Sequence, residues 1–353
     1  MSRNTTIETE NKRIPTIDYL RGFSIFTIVL MHLLLAMTAV PSKVQTAALA
    51  GGTGVHVFFL CSGTGLYLSY LNKKVSFAAF LRKRFLKIYV PYIIVVFFSF
   101  LLPWAYSGDN RFTALLSHVF LFKMFFVQYE ESFGTHFWYI STIIQLYLLF
   151  VPMCMIKEKI RDSRIFFGVF LSISIIWWVI CYALGVSEIR VWSSFCFQYI
   201  WEFALGLIIA EALRNGTRFH INNLILLVVA AAGIGIQAGL AMKAGALKVF
   251  NDIPALLGYT ALALLLMNIS IIRKAAVWLS KISYEFYLVH FMIIVSAFHF
   301  LKPTGLVQQG LVGTAAVILA LLSAYFYHLV ILKLLSKQEP FSNTGENDGV
   351  TAV

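Results

Sequence analysis

The sequence predicts an all-α integral membrane protein, a bundle of about ten transmembrane helices with both termini in the cytoplasm. Hydrophobic residues make up 59% of the 353 residues and charged residues only 12%, outside the usage of soluble globular proteins. The chain contains apolar segments of about 18 to 25 residues, the length that a helix needs to cross a bilayer. Lys and Arg also alternate between rich and poor connections, as the positive-inside rule requires.

The apolar segments divide the chain into one long domain with short polar ends. We predict a cytoplasmic N-terminal segment at 1–15, a transmembrane domain at 16–335 and a disordered cytoplasmic tail at 336–353. Residues 108–134 are apolar but interrupted by charges, so we expect them at the outer interface. The predicted spans are 16–39, 53–72, 88–107, 135–156, 165–184, 195–213, 222–241, 253–272, 283–301 and 311–334.

The net charge of +12 follows from this topology. On the predicted cytoplasmic side lie 21 of the 28 Lys and Arg residues, and seven lie outside. This asymmetry follows the positive-inside rule and explains the net positive charge by the proximity of these residues to membrane lipids. No nucleic-acid partner is needed to explain it. The four cysteines have no metal-ligand spacing, so we predict no metal site and interpret them as packing residues. They are Cys61, Cys154, Cys181 and Cys196.

The first span carries Asp18, Arg21 and His32, and ionisable groups are costly inside a membrane. Arg21 and His32 are eleven residues apart, which places them within about 20° of one helix face and roughly 16 Å apart along the axis. Arg21 as an interfacial anchor and His32 as a packed histidine are the plain alternatives. The functional interpretation is that they hold the phosphate and the reactive carbonyl of one elongated donor. Asp18 can pair with Arg21 at i, i+3.

A basic run follows the second span and contains Arg82, Arg84 and Lys87. Juxtamembrane clusters of this kind set topology and bind anionic lipids. The alternative is that these residues bind the phosphates of a cytosolic donor. The three glycines Gly51, Gly52 and Gly54 are not followed by the Lys-Ser/Thr of a phosphate-binding loop and favour close helix packing. His56 next to them either lines the cavity of His32 or lies at the interface.

Further polar side chains interrupt the later spans. Trp138 is explained by an aromatic belt, whereas Gln145 lies well inside its span near Tyr147. Glu202 is expected to be neutral and hydrogen-bonded unless it has a function. His290 lies two turns into the ninth span.

Taken together, these stretches resemble the membrane acyltransferase-3 family, which transfers acyl groups from coenzyme A thioesters to sugars of cell-surface polysaccharides or related acceptors. The resemblance covers about residues 16 to 295. It rests on Asp18 with the Arg21-x10-His32 pattern, Phe58-Phe59 … Ser62-Gly63, Arg84-Phe-Leu-Lys-Ile-Tyr-Val-Pro91, Gln145 with Tyr147, and Ile282-Ser-Tyr … Tyr-Leu-Val-His290. Two departures are Lys87, where the family usually has arginine, and Thr64, where a bulky residue is common.

The resemblance implies a donor channel open to the cytoplasm and an acceptor face outside. Acyl-coenzyme A, most simply acetyl-coenzyme A, is then a co-substrate, and no permanently bound cofactor is expected. His32 corresponds to the essential histidine, Arg21 to its partner, and Arg84 with Lys87 to the basic pair near the donor, with Arg82 beside them. The side chains expected to bind the acceptor are Gln145, Trp138, Tyr147, His290 and Glu202.

The expected mechanism has neutral His32 as general base on a hydroxyl of a cell-surface or lipid-linked glycan, in the plasma or inner membrane. An acyl-histidine intermediate remains an alternative. A transporter or flippase that uses His32, Glu202 and Arg21 as a charge relay is the rival class, and a catalytically inactive partner of a polysaccharide synthase is the third. The sequence specifies neither the acceptor, nor the acyl chain, nor an oligomeric state.

Overall fold

The computed structural model describes residues 14–336 apart from 107, 109 and 244. These residues form helices and connecting turns, with no strand in the described ranges. The predicted all-α membrane bundle is therefore confirmed. Most of the predicted N-terminal segment and of the predicted tail, residues 1–13 and 337–353, lies outside the described residues.

Nine of the described helices are long and apolar enough to cross a membrane. They reproduce nine of the ten predicted spans, with ends shifted by up to 11 residues. A short helix and a bent pair complete the fold. In chain order the helices are α1 (Pro15–Ala36), α2 (Ser42–Asn72), α3 (Phe77–Leu101), α4 (Arg111–Val119), α5 (Trp138–Lys159), α6 (Ser163–Ala183), α7 (Cys196–Arg214), α8 (Asn223–Lys243), α9 (Asp252–Leu266), α10 (Ser270–Ser280), α11 (Ser283–Leu301) and α12 (Gly305–Ser336).

The eighth predicted span, 253–272, is not one straight helix. The chain breaks after Leu266, where Ile269 takes an extended conformation, and α10 leaves at 117° to α9. The 15 residues of α9 cover only about 22 Å, less than the hydrocarbon thickness of about 30 Å. The amphipathic α10 instead packs across α1, where a Cβ on Gly22 would lie 1.7 Å from the Ala276 carbonyl oxygen.

The third span differs from its predicted bounds of 88–107. Its helix α3 begins at Phe77, so the basic run lies inside the helix and not in the connection before it. A π-helical turn at Phe85–Tyr89 joins the two halves of α3. Single π-helical turns inside α-helices are often found at functional sites.

Residues 108–134 do not form an additional span. The helix α4 has only nine residues, about 14 Å of length. The rest of the segment consists of short turns packed against α3 and α5. The described residues of this segment therefore contain no helix long enough to cross the membrane, and its place at the outer interface stays a prediction.

Helices α2 and α7 pack backbone to backbone through glycine. A Cβ on Gly63 would lie 2.3 Å from the Phe203 carbonyl oxygen, and a Cβ on Gly206 would lie 2.4 Å from the Leu60 carbonyl oxygen. Thr64 is buried at this crossing and donates its hydroxyl to Leu60, which explains why a small residue fits here. The interpretation of the cysteines as packing residues agrees with their burial as free thiols at Cys61, Cys154, Cys181 and Cys196.

Substituting Gly206→Leu is expected to disrupt this crossing. Helices in a membrane associate largely by close packing, and overpacking costs about 1–3 kcal/mol or more. We expect a lower thermal unfolding temperature and a smaller monodisperse fraction on size exclusion. The control is Gly168→Leu, because Gly168 on α6 is exposed with open space around it. Equal behaviour of the two variants would contradict the tight crossing.

Candidate active site

Three histidines from distant parts of the chain meet within the bundle. His32 lies on α1, His290 on α11, and His136 on the 3-10 turn that precedes α5. His290 Nε2 lies 2.9 Å from His32 Nδ1. The ring of His136 lies 6.1 Å from that of His32 and 5.2 Å from that of His290, centroid to centroid.

The hydrogen bonds assign the tautomers of two of these rings. His290 Nδ1 lies 3.0 Å from the Phe286 carbonyl oxygen, which only accepts, so Nδ1 carries the hydrogen. In a neutral His290 the Nε2 atom is then an acceptor, and His32 donates to it from Nδ1. The remaining nitrogen of His32, Nε2, therefore carries a lone pair. This is the geometry of a general base oriented by a second group.

His136 is buried, and neither of its ring nitrogens has a hydrogen-bond partner among the described residues. An unpartnered polar group is unusual in a buried position. The sequence interpretation did not assign His136 to the site. The sequence feature that could have pointed to His136 is its position just before Phe137 and Trp138, where an aromatic helix begins.

The segment before α5 folds over the histidines on the predicted outer side. Both ring nitrogens of His118 are hydrogen-bonded: Nδ1 to the Tyr92 hydroxyl at 2.6 Å and Nε2 to the Ser132 hydroxyl at 2.8 Å. Lys123 donates to the carbonyl oxygens of Tyr129 at 2.9 Å and Glu130 at 2.5 Å. Burial lowers the pKa of Lys123 to about 7 and lowers the pKa of His118 well below its usual value. The segment is therefore anchored by buried polar bonds.

A second group of polar side chains lies towards the predicted cytoplasmic end. The Arg84 side chain is buried, and its Nε and Nη1 atoms have no hydrogen-bond partner among the described residues. Its guanidinium faces the rings of Phe80 at 5.7 Å and Tyr147 at 5.9 Å. A buried cation without an acceptor is costly, so this position suits an anionic ligand.

Arg21 is half-buried and close enough to Arg84 for the two cations to repel each other. Its guanidinium has no hydrogen bond or ion pair with any residue in the described ranges. In particular, no ion pair within 4.0 Å joins Arg21 to Asp18 there, so the predicted i, i+3 pairing is not formed. Guanidinium groups without carboxylate partners can bind the oxygens of an anion such as phosphate.

The two remaining basic residues lie in and just before the π-helical turn. Lys87 lies within it and is half-buried, whereas Arg82 lies before it and is exposed. Tyr284 from α11 donates its hydroxyl to the Ile88 carbonyl oxygen at 2.6 Å. The Ile282-Ser-Tyr motif thus supports the turn that carries the basic run.

Aromatic side chains connect the basic end to the histidines. The Tyr147 ring lies 5.9 Å from the Arg84 guanidinium, and Tyr139 precedes Tyr147 on the same helix, α5. Tyr139 packs on Tyr287 with 5.4 Å between ring centroids, and Tyr287 in turn lies 6.0 Å from His290. One wall of α5 and α11 side chains therefore runs from the guanidinium groups to the imidazoles.

The predicted acceptor-binding residues are spread over several places. Tyr147 lies under Arg84, and Gln145 accepts the backbone N–H of Cys196 at 3.2 Å. Trp138 stacks near Tyr199 at 5.6 Å, with the Arg190 guanidinium 5.3 Å from the Trp138 ring.

Glu202 lies away from the three histidines. Its Oε1 accepts from His56 Nδ1 at 2.5 Å, and Asp252 belongs to the same group of side chains. His56 is thus part of this group with Glu202 and Asp252, and its predicted place at the cavity of His32 or at the interface stays open.

A groove of about 340 Å³ lies between α3, α11 and α12. Its lining is almost wholly apolar and includes Met292, Ile293 and Phe300, with no titratable side chain. This groove therefore offers no side chain for acid–base chemistry.

Comparison with known proteins finds a family match and distant relatives. The acyltransferase-domain family matches residues 14–329. The chain is 25% identical to acyltransferase MdmB of Streptomyces mycarofaciens over 93% of this chain and 94% of that protein. It is 23% identical to peptidoglycan O-acetyltransferase OatA of Listeria monocytogenes over 56% of this chain and 36% of OatA, so the match spans about a third of that relative.

No solved structure matches the chain significantly. The family match covers nearly all of the described residues, including the three histidines and both arginines. The protein is thus a multi-pass membrane O-acyltransferase. The chain belongs to the membrane acyltransferase-3 family.

Proposed function

We propose that this protein transfers an acyl group, most simply acetyl, from acyl-coenzyme A on the cytoplasmic side to a hydroxyl of a cell-surface or lipid-linked glycan. The plasma or inner membrane is the proposed location. The observation that carries the proposal is the His290–His32 hydrogen bond, which leaves His32 Nε2 as an oriented base. The acceptor class is suggested by OatA, whose name describes acetylation of peptidoglycan.

The donor end is formed by the two unpaired guanidinium groups. Arg84 and Arg21 bind the phosphates of coenzyme A, and Lys87 adds a third positive charge from the π-helical turn. Arginine suits this role because its planar fork binds phosphate oxygens in pairs. Arg82 is exposed and adds only to the surrounding field. The pantetheine arm then extends along α1 for roughly 16 Å to His32.

Transfer proceeds by direct attack. His32 Nε2 takes the proton from the acceptor hydroxyl, whose oxygen forms a bond to the thioester carbonyl carbon. The C–S bond then breaks, and the coenzyme A thiolate receives the proton from His32. No Ser, Thr or Cys side chain within the described ranges is hydrogen-bonded to His32, which supports direct transfer over an acyl-serine or acyl-cysteine route.

His136 and the neighbouring aromatic side chains serve the other reactants. An N–H of His136 without a partner stabilises the oxyanion that forms on the thioester carbonyl oxygen. On the predicted outer side, Trp138 and Tyr199 provide an aromatic surface for a sugar ring. Gln145 and Tyr147 shape the wall beneath it.

The test is acyl transfer by the purified protein in lipid nanodiscs. It is incubated with acetyl-coenzyme A labelled in the acetyl group and with muropeptide or lipid-linked oligosaccharide acceptors, and mass spectrometry locates the label. We expect an acetyl ester on the glycan and stoichiometric release of free coenzyme A. Folded protein that moves a glycan precursor across liposomes without forming an ester would instead identify a transporter.

A further inference from the structure

A separate polar group, apart from the three histidines and the two arginines, consists of three residues from three helices. His56 lies near the start of the α-helical segment Gly54–Asn72 of α2, Glu202 lies on α7, and Asp252 begins α9. Each of them offers a ligand atom within 4.8 Å of the others. Two carboxylates and one imidazole are an expensive combination in a membrane protein, and the proposed acyl transfer uses none of them.

The hydrogen bonds orient His56 towards Asp252. His56 Nδ1 donates to Glu202 Oε1 at 2.5 Å, so its other nitrogen, Nε2, is an acceptor in the neutral ring. That atom faces Asp252 Oδ1 across 3.9 Å, too far for a hydrogen bond. When His56 is neutral, two electron-pair donors face each other across this gap. When His56 is protonated, the same two side chains form an ion pair instead.

Asp252 is fixed by Gln198. Gln198 Nε2 donates to Asp252 Oδ2 at 2.7 Å and to the Val249 carbonyl oxygen at 3.0 Å. Because both partners are acceptors, the orientation of the amide is determined. The carboxylate therefore keeps Oδ1 on the side of His56.

The same group also contains buried oxygens that lack a donor. Gln198 Oε1 and Glu202 Oε2 have no hydrogen-bond partner in the described part of the chain, and these side chains are 2% and 0% exposed. Both atoms are acceptors that a water or another donor would satisfy, and neither is one of the two atoms that face each other across the gap. Buried polar atoms of this kind usually mark an ordered water or an ion.

We propose that His56 Nε2 and Asp252 Oδ1 bind a divalent metal ion of the Zn²⁺ class, with Glu202 and Gln198 holding the two ligands in place. Zn²⁺ bonds to histidine nitrogen and carboxylate oxygen are about 2.0–2.2 Å long, so two of them span the observed gap. A histidine that binds a metal usually donates its other N–H to a carboxylate, and a carboxylate ligand is itself hydrogen-bonded. Both supports are present here.

Charge and access agree with this assignment. A divalent cation neutralises the two carboxylates, and buried charges need such compensation. The His56 side chain is 15% exposed, whereas Glu202 is fully buried, so an ion can reach the site from the predicted outer face. This site is separate from His32 and its test does not depend on the proposed acyl transfer.

The chain contains a matched control. His328 Nδ1 lies 2.9 Å from Glu285 Oε1, the same histidine–carboxylate pair as His56 with Glu202. No further carboxylate forms a metal-ligand group with this second pair among the described residues. Metal binding through His56 should therefore survive the substitution Glu285→Gln.

The experiment is a Zn²⁺ titration of the chelator-treated protein in detergent, purified through a tag without histidines and followed by calorimetry. Replacement of Zn²⁺ by Co²⁺ gives visible absorption bands that report the ligands. We expect one equivalent bound by wild type and by Glu285→Gln. Asp252→Asn should weaken binding at least 100-fold, and Glu202→Gln about 10- to 100-fold.

His56→Gln provides a second ligand variant if Asp252→Asn does not elute as a folded species on size exclusion. The proposal is overturned if folded wild type binds no stoichiometric Zn²⁺. It is equally overturned if the folded Asp252, His56 and Glu202 variants all bind like wild type, because the metal then lies elsewhere.

Discussion

Substituting His32→Ala is expected to lower the rate of acyl transfer by about 10² to 10⁴, the contribution of a positioned general base. The loss should fall on kcat, because His32 acts on the reacting hydroxyl and the phosphates of the donor are bound elsewhere. The measurement is steady-state transfer with purified protein, combined with equilibrium binding of acetyl-coenzyme A. Binding should stay within a few-fold of wild type.

The control is His299→Ala. His299 lies on the same helix as His290 but is exposed and stacks on Trp104 at 5.4 Å, away from the three histidines. It should retain nearly full transfer. A His32→Ala variant as active as this control would remove His32 from the mechanism.

The second large effect is expected for Arg84→Gln. This substitution removes the charge of a buried side chain whose Nε and Nη1 have no partner in the described ranges. A charge-assisted hydrogen bond contributes about 1.5–3 kcal/mol, which corresponds to roughly 10- to 150-fold in affinity. We expect the KM for acetyl-coenzyme A to rise by that factor with a smaller change in kcat.

Arg82→Gln is the matched control, two residues away on the same helix but exposed to solvent. Exposed charges contribute little when screened, so the KM should change less than about threefold. An equal effect of both substitutions would indicate a diffuse basic surface, not a phosphate pocket at Arg84. In that case a higher salt concentration should raise the KM of the wild-type protein in the same way.

The membrane fold could be predicted because the bilayer imposes a length on every apolar helix. The same reasoning drew attention to His32 and Arg21, since charged groups stand out against apolar sequence, whereas Arg84 was singled out from a basic run by the family resemblance. It did not anticipate the bend within 253–272, where the apolar run continues through Met267–Ile269. A hydropathy pattern does not report where a helix changes direction. The close packing of α10 on Gly22 is seen only in the structure.

The contacts between distant residues could not be predicted. His290 lies 258 positions from His32, and Glu202 lies 146 positions from His56. Their meeting depends on the order and rotation of helices in the bundle, which a single sequence does not specify. For the same reason Glu202 was grouped with the acceptor residues, although the structure pairs it with His56.

The central claim is that one acyl donor reaches from the guanidinium groups to His32. The most direct test is a structure of the protein with a non-hydrolysable acetyl-coenzyme A analogue. We expect its phosphates at Arg84 and Arg21 and its acyl carbonyl within about 4 Å of His32 Nε2. An analogue bound with its acyl group away from the three histidines, or with its phosphates on another surface, would contradict the account.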